Sequence, residues 1–312
     1  SAQEPCDYPT LQKILGKDMS TSKFFMEYAE KQPLHCTKPR SLDWSIAPAT
    51  LRSWLPKLQV GRDYNVTQYT HGTRKTLDDS LKDASPEDVL HKFTNDACTI
   101  RLLGPHLQDE ALRSTIAHLE AEFSCMVGCN AYWTPPAAQG FAPHADDVDA
   151  YCLQMAGTKR WKVYKPVVEL PRTSSPDYTR EQINDMICVL DIVLEPGHLL
   201  YMPRGWIHEA VTTNQESLHI TLSTHQQWAW IDLLEQTLPA ALETAATEVV
   251  ELRQALPRNF QDYMGTVQDE GKAPDCLKTD TDEDELRKQV QRLQDSFKQN
   301  AKAHLETIKE YA

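Results

Sequence analysis

Apolar side chains recur at helical spacing through the first third of the chain. Near residue 124 they give way to alternation, a change that predicts helices ahead of a β-rich core. In Ser20-Thr-Ser-Lys-Phe-Phe-Met-Glu-Tyr28 a capping hydroxyl precedes Phe24, Phe25 and Tyr28 at helical intervals. Ser85-Pro86-Glu87-Asp88 is a stronger start signal, because a cap, a first-turn proline and two acids stand ahead of Val89, Leu90 and Phe93. Between Asp109 and Phe123, the residues Leu112, Ile116, Leu119 and Phe123 form one apolar stripe. These helices read as packing elements.

From Ser124 to Ser223 the period is two. Asn130 and Tyr132 share one strand face, with Cys125, Val127 and Cys129 on the other. An aperiodic proline-rich run, Thr134 to Pro143, leads into His144. Strands resume at Tyr151-Cys-Leu-Gln-Met, turn at Ala156-Gly157-Thr158, and continue through Lys159 to Tyr164. Val193-Leu194, the turn Glu195-Pro196-Gly197 and Leu199-Leu200-Tyr201 read as a hairpin. Short strands punctuated by Gly and Pro point to a double-sheet jelly roll whose mouth can hold a ligand.

In Ser217-Leu-His-Ile-Thr-Leu-Ser223 one face is Ser, His, Thr and Ser, and the other is Leu218, Ile220 and Leu222. The strand alone favours an ordinary half-exposed strand, with a polar face lining a cavity as the rival. Lys159 alternates with Trp161 and Val163 on a face that reads as buried. A surface lysine is the common case, whereas a lysine on a buried face needs an anion, which a dicarboxylate would supply.

After Ser223 the pattern is helical again. Trp230, Ile231, Leu233, Leu234 and Leu238 open a segment that Pro239 is expected to bend and that runs towards Pro257. Asp269 to Glu285 is polar and acidic, a loop. Leu286, Val290, Leu293, Phe297, Ala301, His304 and Ile308 then stripe a long final helix, which by itself reads as docking on its own chain.

Composition adds bounds. The 312 residues carry a formal net charge of −13, which disfavours direct contact with nucleic acid and attracts basic proteins or peptides. No apolar run approaches the roughly 18 residues of a membrane span, so no membrane partner is expected. The eight cysteines show no CxxC pair or framework spacing, which argues for a reducing intracellular compartment and against a structural zinc site.

The candidate chemistry is two imidazoles and a carboxylate. One strand can aim His144 and Asp146 at a single ion, and His208 can close the site. That donor set suits iron(II), leaving positions for a cosubstrate and oxygen. Spacing alone leaves chance occurrence equally open.

The longer motifs carry a resemblance. The run from Asn130-Ala-Tyr132-Trp-Thr-Pro-Pro through His144-Ala-Asp146 to Gly-Thr-Lys159-Arg-Trp closely resembles the Jumonji-C ribosomal oxygenases. So do Leu194-Glu-Pro-Gly-His-Leu-Leu-Tyr-Met-Pro-Arg-Gly-Trp-Ile-His208 and Ser217-Leu-His-Ile-Thr-Leu-Ser-Thr224. The similarity extends upstream to Arg101-Leu-Leu-Gly-Pro and downstream to Leu256-Pro-Arg-Asn-Phe-Gln-Asp-Tyr-Met264, features closest to the nucleolar eukaryotic branch.

The resemblance implies a mixed α+β fold, with a double-stranded β-helix (jelly-roll, cupin-like) core and N-terminal helices over residues 1–226. A helical dimerisation region over 227–312 would follow, without the family's C-terminal winged-helix domain. It further implies Fe(II) at His144, Asp146 and His208, with 2-oxoglutarate and O2 as cosubstrates. Lys159 and Thr221 would hold the distal carboxylate and Asn130 would lie near the metal-bound end. Arg101, Tyr132 and Ser223 would form the substrate pocket, with His219 nearby.

The implied activity is hydroxylation of a histidine in a large-subunit ribosomal protein by a homodimer in the nucleus or nucleolus. A Jumonji-C histone lysine demethylase is the alternative that shares the metal and cosubstrate, but Arg101 is unsuited to a cationic substrate. A cupin-type isomerase or zinc hydrolase would not need Lys159, and a noncatalytic peptide-binding module would not need the triad. One position departs from the family pattern: Ala145 stands where a tyrosine is common. Its side chain should point away from the metal, so altered packing with intact iron binding is expected.

Overall fold

The computed structural model describes residues 8–37 and 42–256. The acidic loop over 269–285 and the stripe from Leu286 to Ile308 lie outside the described residues. The N-terminal part supplies α1 (Pro9–Leu15), α2 (Thr21–Glu27), β1 (Leu34–Cys36), α3 (Pro48–Trp54), β2 (Tyr64–Thr70), β3 (Thr73–Thr76), α4 (Pro86–Asn95), β4 (Thr99–Leu103) and α5 (Glu110–Phe123). The start signals act where the pattern put them. Ser85 accepts a hydrogen bond from the Asp88 amide and Asp88 accepts one from the Ser85 amide, a reciprocal cap for α4. Asp109 caps α5, whose Leu112, Ile116 and Leu119 are buried.

The β-rich part comprises β5 (Gly128–Thr134), β6 (Asp149–Ala156), β7 (Lys159–Tyr164), α6 (Arg180–Asn184), β8 (Cys188–Leu194), β9 (Leu199–Met202), β10 (Ile207–Thr212) and β11 (Ser217–Thr224), and α7 (Trp230–Glu248) follows. An eight-stranded sheet runs β1-β9-β6-β11-β5-β4-β2-β3, and a three-stranded sheet runs β10-β7-β8. Every strand pairing within them is antiparallel.

Helices α1 to α5 cover one face of the large sheet. There Leu11, Phe24, Leu51, Phe93 and Leu112 pack with Cys129, Ala131, Trp133, Tyr151 and Leu153 in the main core. The small sheet covers part of the other face, joining Ala150, Cys152, Leu200 and Met202 to Trp161, Val163 and Leu194. β6 is therefore buried on both faces, which is why its sequence reads as an almost unbroken apolar run.

The expected hairpin at Glu195–Gly197 is a correction. β8 pairs with β7 in the small sheet, whereas β9 pairs with β6 and β1 in the large one, so the turn carries the chain between sheets. Turn residues specify a reversal of direction but not which strand is met afterwards. The turn at Gly157 also switches sheets. This glycine has φ +61, and a β-carbon there would collide with the Glu216 carbonyl.

The strand Ser217–Ser223 settles for the reading that its sequence disfavoured. Ser217 and His219 are buried and Thr221 and Ser223 half-buried, because the small sheet roofs the polar face.

The chain divides into two compact units, Ser1–Leu234 and Glu235–Ala312. α7 runs through Pro239 and has no buried side chain. No helix among the described residues is long and apolar enough to cross a membrane.

Candidate metal centre

His144 forms a single antiparallel bridge with His208: each amide donates to the other's carbonyl, at 3.2 and 2.8 Å. The bridge brings the two rings to 4.6 Å between centroids. Asp146 lies on the extended loop that follows, not on a regular strand, yet the two-residue spacing still turns its carboxylate to the same side. One carboxylate oxygen is 3.5 Å from His144 Nε2 and the other 3.7 Å from His208 Nε2.

One ligand atom from each of the three residues lies within 4.8 Å of the others, the sole such convergence of His, Cys, Asp and Glu among the described residues. His144 Nδ1 meets the Ala142 carbonyl at 2.7 Å and His208 Nδ1 the Trp206 carbonyl at 3.1 Å. Each Nδ1 therefore carries the proton and each Nε2 keeps its lone pair for a metal. Burial, reinforced by His144, pushes the His208 imidazole down to about 4, so it is neutral at physiological pH. Two imidazole nitrogens and a carboxylate on one side of a central point fit a facial triad for iron(II).

The triad opens into a cavity of about 240 Å3 that Arg101, Tyr132, Phe141, Lys159, Trp161, His219 and Thr221 also line. Lys159 is buried, and its Nζ donates to Thr134 Oγ1 at 3.2 Å. Burial pushes its ammonium down to about 8. His219 stacks on Tyr132 at 4.8 Å with its plane 5° away, and meets Trp161 edge-on at 5.2 Å. Burial, Lys159 and His208 hold it well below the usual histidine range.

His219 Nδ1, Trp161 Nε1 and Arg101 Nε are buried with no hydrogen-bond partner among the described residues. A buried ammonium beside unsatisfied polar nitrogens suits a carboxylate-bearing guest. Arg101 Nη2 donates to Asn65 Oδ1 at 2.8 Å, and Asn65 in turn donates to Asp78 at 2.6 Å, which fixes the guanidinium at the cavity wall. Burial raises the Tyr132 phenol to about 12, so it stays protonated.

Arg101, Tyr132, Lys159 and Thr221 thus meet the triad in one cavity. Asn130 and Ser223 share the same strand faces, Asn130 opposite Thr221 and Ser223 opposite Gly128, but do not line that cavity. Ala145 points away from the triad and is buried with Tyr164, Ile183 and Ile207.

Sequence reasoning missed Arg74, Phe141, Asp177, Glu209 and Arg180. Arg74 reaches the wall from β3, its guanidinium 5.5 Å from the Phe141 ring, and pairs with Asp177 at 3.5 Å. Glu209 takes two bonds from Arg180 and one from Tyr164 Oη, the last at 2.7 Å. Glu209, next to His208, and Phe141, just ahead of His144, carried a signal in their places. The others arrive from distant elements that no local pattern joins.

With that geometry in place, comparison with known proteins is specific. Residues 106–232 match the JmjC domain family. Ribosomal oxygenase 1 of Homo sapiens is 42% identical over 222 residues, covering 70% of this chain and 34% of that protein. The "bifunctional lysine-specific demethylase and histidyl-hydroxylase NO66" of Drosophila persimilis is 38% identical over 268 residues, covering 84% of this chain and 38% of that protein. The chain therefore spans well under half the length of these relatives. Among solved structures, the ribosomal oxygenase YcfD of Escherichia coli in complex with cobalt and succinic acid matches with a TM-score of 0.52 at 16% identity, over 88% of this chain and 67% of that one. At that identity the likeness shows the shared fold.

Proposed function

This chain carries a JmjC domain, and from that premise we propose that it is an Fe(II)- and 2-oxoglutarate-dependent dioxygenase that hydroxylates a histidine side chain of a large-subunit ribosomal protein. The observation that carries the reading is the convergence of His144, Asp146 and His208 in the same cavity as the buried Lys159. When bound, iron with 2-oxoglutarate and O2 supplies oxidative decarboxylation to succinate and carbon dioxide, coupled to insertion of one oxygen atom into a substrate C–H bond.

The chain's own residues bind and orient. His144 Nε2, His208 Nε2 and the Asp146 carboxylate hold the metal on one side, leaving the cavity side for the cosubstrate. Lys159 and Thr221 take the distal carboxylate, a charge-assisted contact that meets the cost of burying the ammonium. Asn130, opposite Thr221 and outside the cavity wall, is assigned to the metal-bound end by the family pattern. Arg101 and Tyr132 receive the substrate side chain from the cavity wall, Ser223 is assigned to the same pocket by the family pattern although it stands outside that wall, and the roofing sheet excludes water.

A basic ribosomal peptide suits a chain of net charge −13. The exposed apolar residues of α7 support a homodimer, and a nuclear or nucleolar location follows from the resemblance. Lysine demethylation, which the name of NO66 includes, is the second reading. Arg74 and Arg101 on the cavity wall oppose it, because two guanidiniums repel an alkylated ammonium. Succinate release with Fe(II) and histidine-containing ribosomal peptides tests the proposal. The unaltered chain should give peptide-dependent succinate, and Asp146→Ala and His208→Ala should give none; retained turnover in either variant contradicts it.

A further inference from the structure

The connection between β7 and β8, residues 165–187, touches the chain beside each of the three metal-site residues. Asp146 is the one that needs such help most, because it sits on a loop with no strand partner. Ser175 grips the residue before it. Its hydroxyl accepts from the Ala145 amide at 2.8 Å, and its amide donates to the Ala145 carbonyl at 2.8 Å. The same hydroxyl donates to the Pro176 carbonyl at 2.8 Å, so its single proton is committed and its orientation fixed from two sides.

Ser174 grips the residue after. Its hydroxyl accepts from the Asp147 amide at 3.3 Å and donates to the Asp147 carboxylate at 2.7 Å. The Asp146 carbonyl itself accepts from Gly205 at 2.9 Å.

The same connection secures the other two residues. The Tyr178 amide donates to the Pro143 carbonyl at 2.8 Å, next to His144. Arg180 and Tyr164 bind Glu209, next to His208. Gly205 has φ +89, and a β-carbon there would stand 2.6 Å from the Val168 carbonyl, so the connection lies directly over this loop as well. Beneath it, Ala145 packs with Ile183 and Tyr164. The small side chain at 145 leaves the room that this packing uses.

We propose that Ser175, with Ser174, is a positioning residue for Asp146, and that the β7–β8 connection is the brace that sets the carboxylate for metal. A metal ligand has to be held to a fraction of an ångström, and the groups that orient it typically contribute 10- to 100-fold in affinity. The two serines act on the main chain on either side of the ligand, so they fix where the carboxylate points without touching the metal. The inference rests on the metal reading of the triad.

Co(II) binding followed by visible absorbance tests it without turnover. The unaltered chain should bind Co(II), and Asp146→Ala should lose that binding. Ser175→Ala should weaken it by about 10-fold, and Ser175→Thr, which keeps the hydroxyl, should restore most of the loss. Ser174→Ala, at an exposed position, should weaken it by a smaller factor with no change in Tm, and decides the matter alone if Ser175→Ala fails to fold. Ser53→Ala, on α3 away from the site, should bind as the unaltered chain does. Co(II) affinity unchanged in the folded serine variants, with loss in Asp146→Ala, overturns the brace and leaves the metal reading standing. Binding that is absent in the unaltered chain, or undiminished in Asp146→Ala, overturns the metal reading and the brace with it.

Discussion

Lys159 concentrates the conflict between stability and function in a single side chain. Its ammonium is buried against Thr134 Oγ1 and Trp161, and burial takes it from the usual 10.5 to about 8. Between those pH values the unfolded chain holds more protons than the folded one, so this group's contribution to stability rises with pH across that window. At pH 7 the penalty is fully present, on the order of 3 kcal/mol.

Lys159→Met should therefore raise Tm at pH 7, with the gain shrinking towards pH 10.5, while it removes the proposed 2-oxoglutarate anchor. A lower Tm at pH 7 would mean that the ammonium has a stabilising partner. In the unaltered enzyme the KM for 2-oxoglutarate should climb once pH passes about 8, by up to roughly tenfold per pH unit as the charged form is lost. A KM that stays flat to pH 10 would show that another group holds the carboxylate. The alternation of Lys159 with Trp161 and Val163 made the buried lysine legible in the sequence. The orphaned nitrogens of Trp161 and His219 beside it were not, since they depend on which strand lies opposite.

Among the elements, α2, α4 and α5 were legible because their signals are local, whereas the short α1 and α3 and the strands β1 to β4, which stand where helices and loops were expected, were not. Removing the Ser85 hydroxyl should cost about 1 kcal/mol and lower Tm by roughly 2–4 °C, measurable by calorimetry. The sheet switches were not legible, because Gly157 and Glu195–Gly197 look like hairpin turns until the partners of β7 and β9 are known. Gly157→Ala forces a side chain into φ +61 and into the Glu216 carbonyl, and should cost at least about 2 kcal/mol. A variant as stable as the unaltered chain would show that the crossover between the sheets tolerates a β-carbon. The connection over 165–187 falls in the same class. Its sequence, interrupted by Pro166, Pro171 and Pro176, has no period, and its contacts with Ala145, Asp147 and Gly205 come from long-range packing alone.

For the whole molecule, the layered arrangement of helices, large sheet and small sheet follows from the alternation that the sequence displays, and the double-sheet jelly roll was its direct reading. Two features were beyond that reading: the roof over the Ser217–Ser223 polar face, and the walls that β3 and the β7–β8 connection bring to the cavity.

One face of α7 is apolar and exposed. Trp230, Leu234, Leu238 and Leu242 are spaced four apart and all exposed, a stripe that suits burial between two copies. For the proposed homodimer, changing Leu234 and Leu238 to Asp should halve the mass found by sedimentation without lowering the Tm of the core, and an unaltered chain that is already monomeric, or a dimer that persists in the variant, would count against that interface.

The central claim, that the cavity hydroxylates histidine with iron and 2-oxoglutarate, is tested most directly by mass spectrometry of ribosomal peptides. Histidine-containing and methyl-lysine-containing peptides would be incubated with and without 2-oxoglutarate. A gain of one oxygen on histidine is expected only when 2-oxoglutarate is present. Loss of methyl groups from lysine with histidine unmodified would contradict it.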